Sequence, residues 1–370
     1  MVAPSRRQFL SAVALTSVTG CIGRDGASGP TPGSREPDPD DAEPADGPKA
    51  VPTAEDRLPL PMQPGKLRES AVSGGPPKDG IPSIDDPSFV APDAVDFLAP
   101  GDPVFGVVED GVAKAYPQKI LVQHEIVNDE LAGTNVAVTY CPLTGTVQGF
   151  ERGETTFGVS GRLINANLVM YDRATETWWP QMLATSIPGP WNEDPTIRSL
   201  REFRLVWTTW ERWRNHSPET RVLSTETGYA RNYGTDPYGS YNPRRGYYAK
   251  GRLLFPGLFS DDRFQNKTVV MGARTSDGAV AFRKESLRDG KTMAGELGGE
   301  GVLAVYDSRF DTAYVYRNPD RRSYGFDGGS LVGPDGTTHA PDSLPLSRIH
   351  TFDAMWFAWA GYYPETSVYE

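Results

Sequence analysis

From residue 103 onward, the pattern of apolar and polar positions is mostly that of short strands separated by turns. Residues 103–108 and 111–116 flank a Glu-Asp-Gly turn, which predicts a β-hairpin. Four further segments are also predicted to be strands: 135–140, 146–151, 157–160 and 168–171. The first two of these segments are joined by a turn, Pro142-Leu143-Thr144-Gly145.

Two Trp-rich segments have a different spacing. In residues 205–215 and 354–362 the large apolar residues recur at intervals of three and four, which is typical of a short amphipathic helix. Together with the strands, these helices predict an α+β, β-rich fold. Each helix is expected to close one of two similar lobes.

The two lobes are predicted because the sequence resembles itself. Glu130-Leu131-Ala132-Gly133 aligns with Glu296-Leu297-Gly298-Gly299, and Tyr140 aligns with Tyr306, without a gap between them. A Trp-Trp-Pro-Glu-Thr pattern that starts at Trp210 also recurs at Trp356. We therefore expect an internal duplication with repeats at about 104–225 and 269–370.

The N-terminus carries a targeting signal. Residues 5–10 contain twin arginines, and the apolar run 9–18 is about half as long as a membrane-spanning helix. Val18-Thr19-Gly20-Cys21 has the small residues before cysteine that a lipoprotein signal requires. This predicts a signal peptide over 1–21, lipid on Cys21, and an extracytoplasmic protein anchored to the cell membrane. The alternative is an ordinary signal peptide with a chance cysteine.

Composition divides the remainder into a linker and a folded body. Residues 22–60 are rich in Pro, Gly, Ala, Asp and Glu, which predicts a disordered linker ahead of a domain over 61–370. The net charge of -11 is of the halophilic type and argues against nucleic acid as a partner, because nucleic-acid binding rests on a basic surface.

Reactive groups are concentrated in the first predicted repeat. Cys141 aligns with Asp307 and His124 with Gly290, while residues 163–182 have no counterpart. A reactive group that is present in only one repeat is more readily explained by function than by packing. If Cys21 carries lipid, Cys141 is the one cysteine left as a free thiol.

The motifs of this region resemble a known family. They are His124-Glu125-Ile126-Val127-Asn128-Asp129, Tyr140-Cys141-Pro142-Leu143-Thr144-Gly145, Phe157-Gly158-Val159-Ser160-Gly161 and Met170-Tyr171-Asp172-Arg173, with Trp179 and Gln181. Over roughly residues 80–370 the chain resembles the family catalogued as domain of unknown function 3179. The resemblance implies no established activity. Members usually have Cys-Pro-Leu-Cys-Gly at the turn, so Thr144 argues against disulfide cycling here.

Three kinds of site chemistry follow for Cys141. In a single-thiol redox site, turn amides and Thr144 Oγ1 would stabilise the thiolate, and the redox partner is not identified. In a soft-metal site, Cys141, His124 and Met170 would bind copper or zinc. In a cysteine hydrolase, His124 would be the base and Asn128 or Asp172 would orient it. The candidate catalytic residues are Cys141, His124, Thr144, Asp172 and Arg173, with Ser160 nearby.

Each of these interpretations has a structural alternative. Cys141 can be a buried small hydrophobe, and His124 can be satisfied by Asp129 or a backbone carbonyl. Asp172 and Arg173 can form an ion pair or a turn cap. A fourth functional class needs no reactive thiol, because the aromatic segment 229–248 can form a binding surface for a glycan or a protein.

Overall fold

The structure is a computed structural model that describes residues 50–370. Its first elements are helix α1 (Pro64–Glu69), strands β1 (Val72–Ser73) and β2 (Phe89–Val90), and a 3-10 turn over Pro92–Ala94. Strand β1 pairs with a later strand of the body at Val72 and Leu163. The segment ahead of residue 103 is therefore built into the domain.

The linker prediction is wrong at its C-terminal end. Val51 is buried, and Thr53 forms a β-bridge with Leu200. The backbone N–H of Leu58 donates to Ser199 Oγ at 2.9 Å. These few contacts order residues 50–60 although their composition resembles that of the linker. The predicted signal peptide, Cys21 and residues 22–49 lie outside the described residues.

The first α/β unit begins with a hairpin of β3 (Pro103–Glu109) and β4 (Val112–Pro117), as the sequence predicts. Helix α2 (Gln118–His124) follows directly. The chain then forms a three-stranded meander: β5 (Ile126–Leu131), β6 (Thr134–Cys141) and β7 (Thr146–Glu151).

A second group of strands follows the meander. It consists of β8 (Phe157–Ile164), β9 (Asn167–Asp172), β10 (Trp178–Pro180) and β11 (Glu202–Phe203). The unit is completed by β12 (Val206–Thr209), helix α3 (Trp210–His216) and β13 (Arg221–Leu223). The predicted helix over 205–215 begins only at Trp210, because the residues before it pair with β3.

A connection between the two units carries a small hairpin. Its strands are β14 (Gly239–Tyr241) and β15 (Arg244–Gly246), and a 3-10 turn over Tyr247–Ala249 follows. The rest of this connection, residues 250–268, contains no helix or strand.

The second unit contains the same kinds of element in the same order. These are β16 (Val269–Thr275), β17 (Gly278–Arg283), α4 (Lys284–Gly290), β18 (Thr292–Leu297), β19 (Glu300–Asp307) and β20 (Thr312–Arg317). Short strands follow: β21 (Gly325–Asp327), β22 (Ser330–Val332), β23 (Thr338–His339) and β24 (Arg348–Ile349). The chain ends with β25 (Thr351–Met355), α5 (Trp356–Tyr362) and β26 (Ser367–Tyr369).

The sheets of the two units have corresponding strand orders. In the first unit the orders are β12-β3-β4-β13-β2 and β11-β7-β6-β5, and in the second they are β25-β16-β17-β26 and β18-β19-β20-β24. The final strand of each unit, β13 or β26, is parallel to the second strand of the opening hairpin. Three smaller sheets complete the fold: β1-β8-β9-β10, β14-β15 and β21-β22-β23. The described body is β-rich α+β, as predicted.

The two Trp helices pack in the same way. Trp213 lies over Gly106 of β3 and Trp359 lies over Gly272 of β16, and neither glycine has room for a Cβ atom. Each indole Nε1 donates to a threonine hydroxyl at 3.0 Å, Thr220 or Thr366. A flat ring on a glycine thus fixes each helix to its sheet.

One buried ion pair joins the units. Arg274 on β16 donates to Glu202 on β11 at 2.8 Å, and the Arg274 side chain is fully buried. Arg274 also donates to the Tyr363 hydroxyl and to the Met182 carbonyl oxygen. In residues 50–370, no helix is both long and apolar enough to cross a membrane.

Candidate functional site

Cys141 ends strand β6, where the chain enters the turn toward β7. Its sulfur interacts with the Thr144 hydroxyl and with backbone N–H groups of Thr144 and Leu168, and all three favour the thiolate. Burial and the nearby Glu125 carboxyl outweigh these donors and raise the pKa of Cys141 to about 11. With 1% of its surface exposed, Cys141 is a protonated thiol in the core at neutral pH.

Glu125 is a site residue that the sequence interpretation did not single out. It follows helix α2 with a left-handed φ of 61°, and only 6% of its surface is exposed. Among the described residues, no hydrogen-bond donor or cation is paired with its carboxyl group. Burial therefore raises its pKa to about 8. The carboxyl lies near the Cys141 thiol and the Tyr238 hydroxyl.

His124 is occupied elsewhere. Its Nδ1 lies 2.7 Å from the Pro82 carbonyl oxygen, and its Nε2 lies 2.6 Å from the Tyr233 hydroxyl. Because a carbonyl only accepts, Nδ1 carries the proton, and Nε2 accepts from the tyrosine. Burial lowers the pKa of His124, which keeps the ring neutral. Neither ring nitrogen is free to act as a base for Cys141 or to bind a metal with it.

The soft-metal hypothesis finds no ligand set in the described chain. Met170 lies on β9, fully buried and paired across the sheet with Val159 and Trp179. Across residues 50–370, no three His, Cys, Asp or Glu side chains are grouped so that they could hold a metal ion. A copper or zinc site at Cys141, His124 and Met170 is not supported by this geometry.

Asp172 and Arg173 stabilise turns and loops. Asp172 accepts hydrogen bonds from the backbone N–H of Thr175 at 2.6 Å and from Trp179 Nε1 at 3.0 Å. Arg173 forms ion pairs with Asp79 and Asp85 and so ties the N-terminal segment to β9. Asp172 therefore caps a turn, which is one of the structural alternatives given above. The side chains of Asp172 and Arg173 both have structural partners.

Thr144 and Ser160 are also bound internally. The Ser160 hydroxyl donates to the Val169 carbonyl oxygen beside a bulge in β8. Thr144 belongs to a buried polar network behind Cys141 that holds the turn. Its members are Thr139, Thr144, Thr146, Asn167 and Gln181.

A large cleft lies beside this turn, and Gly145 forms part of its wall. The cleft has a volume of about 1090 Å³ and is lined by both units and by the connection between them. Its aromatic lining consists of Trp207, Tyr241, Tyr248 and Phe264. The rings of Tyr241 and Tyr248 are 3.8 Å apart between centroids.

The charges of the cleft are unbalanced. Its four carboxylates all form ion pairs with lining cations: Asp353 with Lys284, Asp311 with Arg288, and both Glu285 and Glu370 with Arg283. Four other lining cations have no carboxylate partner among residues 50–370: Arg212, Arg244, Lys250 and Lys267. The cleft is thus basic in a chain whose net charge is -11.

Lys267 is the most buried of these four cations. Its Nζ donates to the carbonyl oxygens of Tyr247 and Arg252. Burial lowers its pKa to about 8. An anion bound beside Lys267 would stabilise its charged form and raise that pKa again.

Three buried polar atoms on the lining residues lack partners. Thr208 Oγ1, the Tyr241 hydroxyl oxygen and Arg283 Nε have no hydrogen-bond partner in the described chain, and Thr208 is only 4% exposed. Buried polar groups are normally hydrogen-bonded. These three atoms are therefore unsatisfied polar groups buried in the wall of the cleft.

The family comparison covers most of this domain. Residues 78–366 match the family described as protein of unknown function DUF3179. The chain belongs to this DUF3179 family. Neither the comparison with curated proteins nor the search of solved structures finds a match.

The DUF3179 region contains Cys141, Glu125 and most of the cleft lining. Sequence reasoning selected the turn and the aromatic segment but missed the unpaired cations. A signal was available, because Arg244, Arg245, Lys250 and Arg252 follow one another closely at the end of that segment. The tyrosines of this segment have two different roles. Tyr233 and Tyr247 form hydrogen bonds with His124 and with the Leu143 carbonyl oxygen, whereas Tyr241 and Tyr248 line the cleft.

Proposed function

We propose that this DUF3179 protein is a binding protein whose cleft takes an acidic glycan. The observation that carries the proposal is the set of four cations without carboxylate partners in the cleft of an acidic protein. Arginine and lysine side chains bind carboxylate and sulfate groups through charge-assisted hydrogen bonds. The ligand is therefore expected to carry several negative charges.

The aromatic lining supports a sugar over a simple anion. Trp207 and Tyr241 are half-buried, and apolar ring surface of this kind suits the faces of a sugar ring, whereas Tyr248 is buried against Tyr241. A volume of about 1090 Å³ is at the upper end of the range for small-ligand sites and suits an oligosaccharide.

The N-terminal sequence supports an extracytoplasmic location for this binding. Twin arginines and the cysteine at position 21 are expected to place the domain outside the cell, joined to the membrane by lipid and by residues 22–49. An ancestral duplication, supported by the corresponding strand orders, would explain why two units and their connection surround one cleft.

Calorimetry with three polymers tests the proposal. Oligogalacturonate and dextran sulfate should bind, uncharged dextran should not, and added salt should weaken the binding. Arg244→Ala and Lys250→Ala should each lower the affinity about tenfold through loss of a charge-assisted contact. Arg201→Ala, which removes a half-exposed cation paired with Glu151 outside the cleft, is the control. Equal binding of dextran, or an equal loss in the control, would contradict a basic-cleft site.

A second candidate function is a thiol reaction at Cys141. Above about pH 8, where Glu125 has lost its proton, its carboxylate would take the thiol proton while the three donors around the sulfur stabilise the thiolate. Alkylation of the native protein by iodoacetamide tests it, with Cys21 changed to Ser. Modification that Glu125→Gln slows would support this candidate. Modification only after unfolding would retire it, and Cys141→Ser would then leave glycan binding unchanged.

A further inference from the structure

The loop that follows the small hairpin presents apolar side chains to solvent. Leu254 is 53% exposed and Phe259 is 42% exposed. The other large apolar side chains that are well exposed in residues 50–370 are Val108, Val112 and Tyr229. Two of five such residues therefore lie in one short loop.

The neighbouring residues fix the conformation of this loop. Leu253, Phe255 and Leu258 alternate with the exposed pair and pack against the core. The backbone N–H of Leu258 donates to Asn165 Oδ1 at 2.9 Å. The loop is thus fixed to the body on one side, while Leu254 and Phe259 remain on the outer side.

Basic residues lie immediately before these apolar side chains. Arg244, Arg245, Lys250 and Arg252 are all exposed, and none has a carboxylate partner within the described part of the chain. The overall charge of -11 makes this local excess of cations distinctive. Exposed apolar residues beside a basic cluster are the usual composition of a surface that binds anionic lipid.

The loop is also adjacent to the cleft. Lys250 and Gly251 precede it, Arg263 and Phe264 follow it, and all four line the cleft. A surface that receives Leu254 and Phe259 would therefore lie next to the cleft mouth.

We propose that residues 244–259 dock on an anionic lipid bilayer. Leu254 and Phe259 enter the headgroup boundary, and Arg245 and Arg252 contact the lipid phosphates. The occupant follows from charge complementarity and from the predicted lipid on Cys21, which would keep this surface close to a membrane. This docking does not depend on the identity of the cleft ligand.

Flotation with vesicles tests the docking, using the full chain with Cys21→Ser so that no attached lipid contributes. The protein should float with phosphatidylglycerol vesicles and not with phosphatidylcholine vesicles. Leu254→Ser combined with Phe259→Ser should reduce the bound fraction about tenfold, because the apolar contact is lost. Arg245→Gln combined with Arg252→Gln should have a similar effect through loss of charge.

The control replaces Val108 and Val112 with Ser, since they are similarly exposed in β3 and β4 on either side of the turn that joins these strands. Undiminished flotation of the Leu254/Phe259 variant, or an equal loss in the valine control, would overturn the proposal. Complete displacement by soluble oligogalacturonate would also overturn it, because the cleft alone would then hold the headgroups. The loop variants should keep their glycan affinity, so a failure of docking is distinguishable from a failure of the proposed function.

Discussion

At the scale of single residues, the unusual group in this domain is Glu125. Its carboxyl is buried beside an uncharged thiol and a phenol, and no cation compensates it among the described residues. Such a group is stable inside the protein only when it is protonated. Its titration must therefore be coupled to the stability of the fold.

We predict that Glu125 makes the protein less stable as the pH rises. Burial raises its pKa from 4.5 to about 8, so between these values the folded state binds more protons than the unfolded state. The free energy of unfolding then falls with pH across this window. Glu125→Gln should remove the decline and gain on the order of 4 kcal/mol relative to wild type above pH 8.

Urea unfolding at several pH values measures this effect. Glu130→Gln, on an exposed side chain of the adjacent strand, is the control. His350 has the opposite effect, because burial lowers its pKa from 6.5 to about 4 and stability is lost as the pH falls through that range. The quantity to compare is therefore the difference in the free energy of unfolding between variant and wild type at each pH, because His350 contributes equally to both. Parallel pH curves for the two proteins would show that Glu125 is not a buried acid.

At the scale of elements, the Trp helices depend on two glycines. A Cβ at Gly106 would lie 2.3 Å from the Trp213 ring, and one at Gly272 would lie 2.1 Å from the Trp359 ring. Both separations are shorter than atoms tolerate. Both units thus have the same helix packing because a glycine, which has no side chain, leaves room for the indole ring on the sheet.

We predict that Gly106→Ala and Gly272→Ala destabilise the protein to a similar extent. Each methyl group would push the indole off the sheet, at a cost of about 3 kcal/mol. Gly65→Ala is the matched control, because that helical position has no neighbouring atom within 4 Å. It should be neutral or stabilising by up to about 1 kcal/mol. Thermal unfolding distinguishes these outcomes, and a silent Gly272→Ala would be incompatible with this packing.

At the scale of the whole molecule, Arg274 and Glu202 join the two units in the interior. Burial alone would raise the pKa of Glu202, but Arg274 and His350 hold it below its ordinary value. Arg274 contacts residues from three parts of the chain, Glu202, Met182 and Tyr363. Removing Arg274 would leave the buried Glu202 carboxylate with only His350, at 3.4 Å, to compensate it.

We predict that Arg274→Met lowers the free energy of unfolding by about 3–5 kcal/mol, because the buried Glu202 carboxylate is left with only His350 beside it. Combining it with Glu202→Leu should restore much of the loss, since two apolar side chains replace the pair. Arg201→Met, which breaks an exposed pair with Glu151, should change stability by less than about 1 kcal/mol. Chemical denaturation of wild type, Arg274→Met, Glu202→Leu and the double variant gives the coupling energy. Additive losses in the double variant would contradict a coupled pair.

The sequence by itself determined the local structure. Strand and turn patterns predicted the hairpin at 103–116 and the strands on both sides of Cys141, because the period of apolar positions follows from backbone geometry. The start of the helix at Trp210 was not predictable in this way, since Val206–Thr209 become a strand only by pairing with β3. Likewise, residues 50–60 are ordered by Leu200 and Ser199, which are far away in the chain.

Only the tertiary structure decided which chemistry the motifs can perform. His124 and Cys141 occur in neighbouring motifs, yet the histidine is held by Pro82 and Tyr233, and the thiol is buried beside Glu125. The cleft likewise combines Arg212 of α3 with Lys267 of the connection. Distances between residues that are remote in sequence depend on how strands pair and sheets pack. Burial, which follows from that packing, sets the charge of each buried group.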